Sequence, residues 1–349
     1  MTKSGIVTPA LSKVIVDIVL GYSGGIDSQT TAQQLIAAGH RVIALTIETI
    51  DDREMMLRAE ESARNMNIEW LGYDAKELFE CEIIDYFCHS YSIGHTPAPC
   101  TLCNPKIKWK ILREVADKLG IEHIATGHYV NIERHNDKYY IAKGIDSNKD
   151  QSYYLWGLEQ DILRRAITPM GQRIKSEVKL SYSDKRESMS ICFVRGLHYT
   201  EFLASRGLSM PSGDIVDSMG NICGSHNGIS RYTIGQRRGS GIPEGMRVID
   251  IDAKHNRLIV GDIRRLYKHK LYVEQCNIVD EKELLAADDI TIKIRGIGRN
   301  PELAVKVERC GCGYVVTSPD AAWAPAKGQP LVFYRNNLVI GGGIVVDFE

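Results

Sequence analysis

Gly21-Tyr22-Ser23-Gly24-Gly25-Ile26-Asp27-Ser28 is the stretch whose reading decides the fold. Before it stands Val14-Ile15-Val16-Asp17-Ile18-Val19-Leu20, a run rich in β-branched residues that reads as a strand. After it, Gln29 to Ala38 reads as a helix closed by Gly39. A strand therefore ends in a glycine turn and a helix begins. Gly24 and Gly25 let backbone N–H groups converge on an anion, and the new helix adds its free N–H groups and positive dipole end. That combination is a phosphate cradle. An ordinary P-loop closes on Gly-Lys-Ser/Thr; no lysine stands here, which argues against that class. The plain alternative is a tight turn with a serine cap.

The 349 residues suggest two or three domains. Hydrophobic residues make up 44% and charged residues 25%, enough to bury a sizeable core. The net charge of -1 offers no global positive field, so any nucleic-acid binding must come from local patches. No apolar run is long enough to span a bilayer, and Asp17 interrupts the only N-terminal apolar run, so neither a membrane span nor a signal peptide is expected. Nine cysteines in such a chain point to a reducing cytoplasm, where close pairs serve catalysis or metals more often than structural disulfides.

Outward from the glycine turn the strand–helix rhythm continues. Val42–Ile47 and Ile68–Tyr73 read as strands, and Ile121–Thr126 as another that runs into Gly127-His128-Tyr129. Asp52–Met66, Glu77–Tyr91 and Lys106–Leu119 read as helices. This βαβ order predicts a parallel sheet covered on both faces, with the ligand beyond the C-terminal strand ends. Ser23–Ser28, Ile47 and Gly127-His128 all fall at such ends.

Thr96-Pro97-Ala98-Pro99-Cys100-Thr101-Leu102-Cys103-Asn104-Pro105 interrupts the rhythm. Its three prolines predict a rigid loop, neither helix nor central strand, that presents two thiols. Cys-x-x-Cys could be a redox pair, a metal pair or coincidence; the only other close pair, Cys310-Gly311-Cys312, is far away. Lys149-Asp150-Gln151-Ser152-Tyr153-Tyr154-Leu155-Trp156 leads polar residues into an aromatic run, suited to nucleotide contacts or simply to a loop feeding a buried element. Cys192 sits in the apolar run Ser190–Val194, where a lone cysteine is ordinarily a small buried hydrophobe.

After about residue 205 helical patterns thin out. Gly213–Asp217, Gly228–Ser230, Arg247–Asp252 and Arg257–Gly261 read as short strands between glycine turns. From about 266, Lys270–Val273, Thr291–Arg295, Gly313–Val316 and Leu331–Tyr334 suggest a small β-barrel. Basic residues cluster here: six lysines and arginines from Lys254 to Lys270 against Asp262 alone, and Arg237-Arg238 in a glycine loop. Such patches can bind phosphates or be ordinary solvated surface. The divisions expected are 1–205, 206–265 and 266–349.

Ser-Gly-Gly-x-Asp-Ser in its strand–turn–helix context resembles the PP-loop of ATP pyrophosphatases, which cleave ATP between the α and β phosphates and adenylate a substrate. Seven collinear motifs resemble those of tRNA-uridine 2-sulfurtransferases, the tRNA-specific 2-thiouridylases. They are Gly21–Ser28, Thr96–Pro99 with Cys103-Asn104, Ala125–Tyr129, Lys149–Tyr153, Ile191–Phe193, Gly235–Gly239 and Gly341–Ile344. The resemblance implies a Rossmann-like α/β PP-loop domain with a parallel sheet, a small central domain and a C-terminal β-barrel. It implies that ATP, with Mg2+, adenylates O2 of the wobble uridine of tRNA, and that sulfur then displaces AMP. Cys103 matches the nucleophile and Cys192 the persulfide carrier. The ATP site would comprise Gly21, Tyr22, Ser23, Gly24, Gly25, Ile26, Asp27, Ser28, Ile47 and Gly127. Contacts to tRNA would involve Ala98, Pro99, Cys100, His128, Lys149, Asp150, Gln151, Arg295 and Gln329. A sulfur-donor protein, such as a cysteine desulfurase or a sulfur relay, would be a partner in the cytoplasm, with no membrane involved.

The chemistry is consistent. Uridine O2 leaves poorly until adenylated, and a persulfide sulfur is a good nucleophile near neutral pH. A second thiol then releases the product by forming a disulfide with the first. One departure stands out. The family pattern has an aspartate where this chain has Cys100, and an unperturbed thiol, with a pKa of about 8.5, is a weaker proton-transfer group. Cys100, Cys103 and Cys192 could instead hold a [4Fe–4S] cluster with one iron open for sulfide. Two rival classes remain: a PP-loop amidotransferase-type synthetase, which needs no thiols, and a non-catalytic tRNA-binding protein, which releases no pyrophosphate.

Overall fold

The computed structural model describes residues 15–178, 191–208, 210–296 and 298–349. Val14 and Ser190, each quoted above in an apolar run, lie outside them. By packing, the chain forms two units: Met1–Leu78 with Asn104–Lys185, and Phe79–Cys103 with Arg186–Glu349.

The first unit is built on a parallel sheet. Strand β1 (Asp17–Gly21) is followed by helix α1 (Ile26–Ala37), β2 (Arg41–Glu48), α2 (Arg53–Asn65) and β3 (Glu69–Asp74). The short strand β4 (His123–Ala125) comes later, then the hairpin β5 (Val130–His135) and β6 (Lys138–Lys143), then β7 (Ala166–Ile167). The sheet order is β3-β2-β1-β4-β7, with every neighbouring pair parallel. The order reverses about β1, so the crevice beyond Gly21 is where such a sheet binds its ligand. Ile18, Val19 and Leu20 are fully buried, as a central parallel strand requires. Asp52 caps α2 by accepting from Met55 N at 2.9 Å. At the far side Arg165, 5% exposed, donates to the carbonyls of Ile121 and Glu122 at 2.9 and 2.8 Å and pairs with Asp117, tying β7 to the start of β4.

The second unit is mostly antiparallel. It opens with helical turns that include Asp85–Ser92 and Pro99–Cys103. A four-stranded sheet follows, made of β8 (Gly213–Val216), β9 (Ile222–His226), β10 (Arg247–Asp252) and β11 (Arg257–Gly261) in the order β10-β11-β8-β9. Then come β12 (Tyr267–Ile278), β13 (Ile290–Lys293), β14 (Lys306–Cys310), β15 (Gly313–Trp323), β16 (Pro330–Arg335) and β17 (Leu338–Phe348), ordered β13-β16-β17-β12-β15-β14. Gly228–Ser230, expected as a strand, lies at a 3-10 turn over Ile229–Arg231. Strands β9, β14 and β17 carry little apolar alternation. In β17, Gly341, Gly342 and Gly343 lie against β12, where a Cβ on Gly343 would meet Cys276 Sγ at 2.5 Å.

The proline-rich segment corrects the loop reading. Pro99–Cys103 is one turn of α-helix, and Asn104–Lys108 continues as a π-turn. Pro99 stands at the first helical position, where its missing N–H costs nothing. Pro105 cannot donate an i→i−4 bond and its ring would press on the carbonyl of Thr101, so the backbone widens around it.

Candidate functional site

The first unit holds a cavity of about 260 Å³ at the C-terminal ends of its strands. Its lining includes Gly21, Tyr22, Ser23, Asp27, Ser28, Ile47 and Gly127. Gly24, Gly25 and Ile26 form the turn between these lining residues. The turn is held from several sides. Tyr22 N donates to Leu45 O at 2.8 Å, and Thr46 Oγ1 donates to Tyr22 O at 2.7 Å. Gly24 adopts φ +68, and a Cβ there would meet Ala59 Cα of α2 at 3.0 Å. Gln29 Nε2 donates to Gly24 O at 2.6 Å. The first main-chain bond of α1 is Gln29 N to Gly25 O at 3.0 Å. The N–H groups of Ile26, Asp27 and Ser28 therefore have no acceptor within the helix and stand available to an anion. Gly127, just after β4, is the counterpart: a Cβ would lie 3.1 Å from Asp27 C and 3.2 Å from Ser28 N and would press on the first turn of α1.

The lining also includes residues that the sequence did not assign to the site, among them Thr46, Met55, Lys108 and Thr126. Lys108 ends the π-turn, five residues after Cys103. The sequence reads residues 106–119 as one helix, and the observed π-turn over Asn104–Lys108 changes the side-chain spacing at its start. His128 and Gln151, expected at tRNA, also line this cavity. The His128 ring stacks on Trp109 at 5.9 Å and its Nδ1 is 2.8 Å from Thr126 Oγ1. Burial, and secondarily the charge of Lys108, pull its pKa down to about 3, so the imidazole is neutral at physiological pH. It can exchange hydrogen bonds there but carries no charge to a phosphate. Gln151 Oε1 accepts from Tyr129 N at 2.9 Å. Asp150 shapes its own loop, accepting from Gly144 N and Ser152 N at 3.2 Å and from Ser152 Oγ at 2.8 Å. Lys149 N is bonded to Asp146 O in the same turn.

The remaining expected residues belong to the second unit. Thr96 is pinned by its N–H to Lys327 O at 2.8 Å and by Oγ1 to Thr233 Oγ1 at 2.9 Å. Ala98 O accepts from Thr101 N and Oγ1 at 3.0 and 2.7 Å, which starts the helical turn at Pro99. Cys100 is exposed and Cys103 buried. Cys192 is exposed, against the expectation of a buried hydrophobe. It opens the 3-10 turn Cys192–Val194. Its neighbour Phe193 supplies the anchor instead, within 5.8 Å of Phe79 and 5.1 Å of both Phe87 and Phe202, ring centre to ring centre. Arg195 at φ +51 and Gly196 at φ +79 turn the chain away. Arg295 faces inward, donating to Ala324 O and Trp323 O at 2.5 and 3.2 Å, and Gln329 is partly buried. Arg237 and Arg238 are exposed.

None of the nine cysteines is half of a disulfide. Among the described residues no three His, Cys, Asp or Glu side chains gather as metal ligands would. Cys100, Cys103 and Cys192, the thiols expected for a [4Fe–4S] cluster, belong to no such group.

Comparison with known proteins places this geometry. Residues 16–196 match the family model described as the tRNA methyl transferase HUP domain, residues 200–262 its PRC-barrel domain, and residues 268–345 an aminomethyltransferase β-barrel domain. The tRNA-specific 2-thiouridylase MnmA 2 of Phocaeicola vulgatus is 38% identical, covering 94% of this chain and 97% of the relative. The chain belongs to the tRNA-specific 2-thiouridylase family. MnmA 1 of Bacteroides fragilis is 37% identical over 94% of this chain and 96% of its own length, and MnmA of a Nostoc species 34% identical over 95% and 99%. As a 2-thiouridylase family member the chain carries a parallel-sheet PP-loop domain, a central PRC-barrel domain and a C-terminal β-barrel domain. No helix among the described residues of this 2-thiouridylase is long and apolar enough to cross a membrane.

Proposed function

We propose that this chain is an ATP-dependent tRNA-uridine 2-sulfurtransferase that thiolates the wobble uridine. The observation that carries the reading is the cavity of the first unit, where a lysine-free glycine turn, the open N–H groups of α1 and Asp27 converge. The lysine-free turn separates this cradle from the Gly-Lys-Ser/Thr loop of ordinary P-loop NTPases. The words methyl transferase in the domain descriptions find no support in this chemistry; the thiols and the names of the relatives favour thiolation.

In the proposed reaction, uridine O2 attacks the α-phosphorus of ATP and pyrophosphate leaves with the bonding electron pair. The terminal sulfur of a Cys192 persulfide then attacks C2, and AMP leaves. Cys103 thiolate attacks Cys192 Sγ, which frees 2-thiouridine and leaves a Cys103–Cys192 disulfide for a dithiol to reduce. Gly21–Ser28, Ile47 and Gly127 would hold the nucleotide. Asp27 would hold Mg2+, which would supply charge neutralisation for the phosphates. Ala98, Pro99, Cys100, Lys149, Asp150, Gln151, Arg295 and Gln329 would contact tRNA, with His128 a neutral hydrogen-bonding group. The domains would run 1–205, 206–265 and 266–349. A cytoplasmic sulfur-donor protein would load Cys192, and the exposure of that thiol supports loading from outside.

Incubating the chain with unmodified tRNA, ATP and a persulfide donor, then digesting the tRNA for nucleoside mass spectrometry, tests the reading. 2-Thiouridine with stoichiometric pyrophosphate is expected. Pyrophosphate without thiolated nucleoside would point to the synthetase class, and neither product to a binding protein.

A further inference from the structure

Two thiols that the proposed reaction does not use face each other in the C-terminal barrel. Strand β12 pairs with β17 through Glu274 with Ile344 and again through Asn277 with Gly342. Gln275 and Cys276 therefore stand together against the single residue Gly343, and Gln275 takes φ +52 to form this β-bulge. A bulge shifts the in-and-out alternation of its strand by one residue. Cys276 is thereby turned to the face shared by the paired residues Val273 and Val345. The place of its sulfur agrees: a Cβ on Gly343 would meet Cys276 Sγ at 2.5 Å, so the glycine leaves the space that the thiol fills.

On its other side β12 pairs with β15 as far as Val273 with Tyr314. Tyr314 thus shares the face of Val273, and Cys312, two residues earlier in the chain, returns to that face. Carried past Val273, the pairing sets Gln275 opposite Cys312, and the extra residue of the bulge brings Cys276 to the same level. The hairpin is pressed close here, since a Cβ on Gly313 would meet Glu274 Cα at 3.1 Å. The two thiols sense each other: burial, and next the charge of Cys312, push the Cys276 thiol up to about 11. Cys310 pairs with Gly313 and so takes the opposite face, where its charge acts on Tyr272.

A half-buried cysteine and two turn cysteines could be no more than small residues in tight places. That plain reading does not supply the facing of Cys276 and Cys312, nor their asymmetry, one half-buried and one exposed. Cross-strand neighbours stand about 4.5–5.5 Å apart between Cβ atoms, and a disulfide spans about 3.5–4.5 Å, so a shift of about 1 Å closes the bond.

We propose that Cys312 and Cys276 form a redox modification site, closed by a low-molecular-weight disulfide and using neither Cys103 nor Cys192. The exposed Cys312 thiolate attacks one sulfur of the small disulfide, whose S–S bond breaks, and one thiolate leaves with the electron pair. Cys276, giving its proton to solvent, attacks Cys312 Sγ of the mixed disulfide, and the second thiolate leaves. Two protein thiols are oxidised by two electrons, and the small disulfide is reduced to two thiols. The new bond ties the bulge of β12 to the hairpin between β14 and β15. Drawn across two strands it is strained, and a strained disulfide is readily reduced, so the modification is reversible.

The test incubates the full chain with glutathione disulfide, caps remaining thiols with N-ethylmaleimide, digests without reductant and maps the peptides by mass spectrometry. A cross-link from Cys276 to the Cys310-Gly311-Cys312 peptide is expected, and dithiothreitol should remove it. Variants then assign the partner within that peptide. Cys310→Ser should close within about two-fold of the wild-type rate, Cys312→Ser at least about ten-fold more slowly, and Cys276→Ser should stop at glutathione on Cys312. Glutathione resting on Cys312 of the wild-type chain while Cys276 is capped, or a bond between Cys310 and Cys312, would overturn the proposal. Equal closure by Cys312→Ser and wild type would make Cys310 the partner and overturn it too. The wild-type map can refute the site by itself, whether or not a variant folds.

Discussion

The nucleotide cavity of the first unit and the thiol-bearing turns of the second are built on different physical plans. The cavity lies where parallel strands stop, and its backbone is over-determined: Tyr22, Gly24 and Gly127 are each fixed by contacts from other elements. The thiols sit on short helical turns held by a few anchors, Thr96 for Cys100 and Cys103, and Phe193 for Cys192. A site that must stabilise charge needs dipoles fixed before the reaction. A site that must receive sulfur, attack and be resolved needs thiols reachable by more than one partner, as an exposed Cys192 is.

The largest expected effect separates the two plans directly. Cys103→Ala and Cys192→Ala should each lower 2-thiouridine formation by at least about 10³-fold while ATP affinity stays within about two-fold. Nucleoside mass spectrometry and calorimetry check this, and a variant that loses both functions together would show that the two plans are one. Next in size is a pair of glycine substitutions. Gly24→Ala forces a Cβ into φ +68 and to 3.0 Å from Ala59 Cα, so it should cost about 1–3 kcal/mol and weaken ATP binding about ten-fold. Gly196→Ala meets nothing within 4 Å at φ +79; it should cost only the left-handed strain, about 1 kcal/mol, and leave ATP binding untouched. Denaturant melts of both variants sharpen the contrast, and equal losses would erase it.

The smallest effect concerns pH. The folded-state pKa of His128 lies well below its unfolded value, so the unfolded chain binds the proton first. The stability contribution is complete above about pH 6.5 and is lost as pH falls from there toward 3. His128→Gln should flatten that part of the stability profile, by about 1 kcal/mol between pH 6.5 and 5 after allowing for the partial exposure of the ring. Urea titrations at several pH values measure it; parallel profiles for wild type and variant would mean the ring is freely solvated.

Much of the first unit was legible before folding. Alternation, β-branched runs and glycine stops encode local structure, so β2, α2 and β3 fall within a residue or two of their expected bounds. The prolines of 96–105 misled, because a proline forbids a helix interior but not its first turn. Cys192 misled because its neighbour Phe193, rather than the cysteine, fills the apolar site. Strand β17 was missed because a run of glycines carries no side-chain period, and pairing, with β12 and β16 among its partners, makes it a strand.

The sequence by itself determined the glycine turn, the strand–helix alternation around it and the spacing of the thiols, since each is written in residues close along the chain. Tertiary structure alone decided that Lys175, 148 positions from Asp27, lies on its carboxylate, that Lys108 and a neutral His128 line the nucleotide cavity, and that Cys103 is buried while Cys192 is not. Long-range pairing and burial depend on how sheets and turns close in space, and no local pattern of residues encodes that closure.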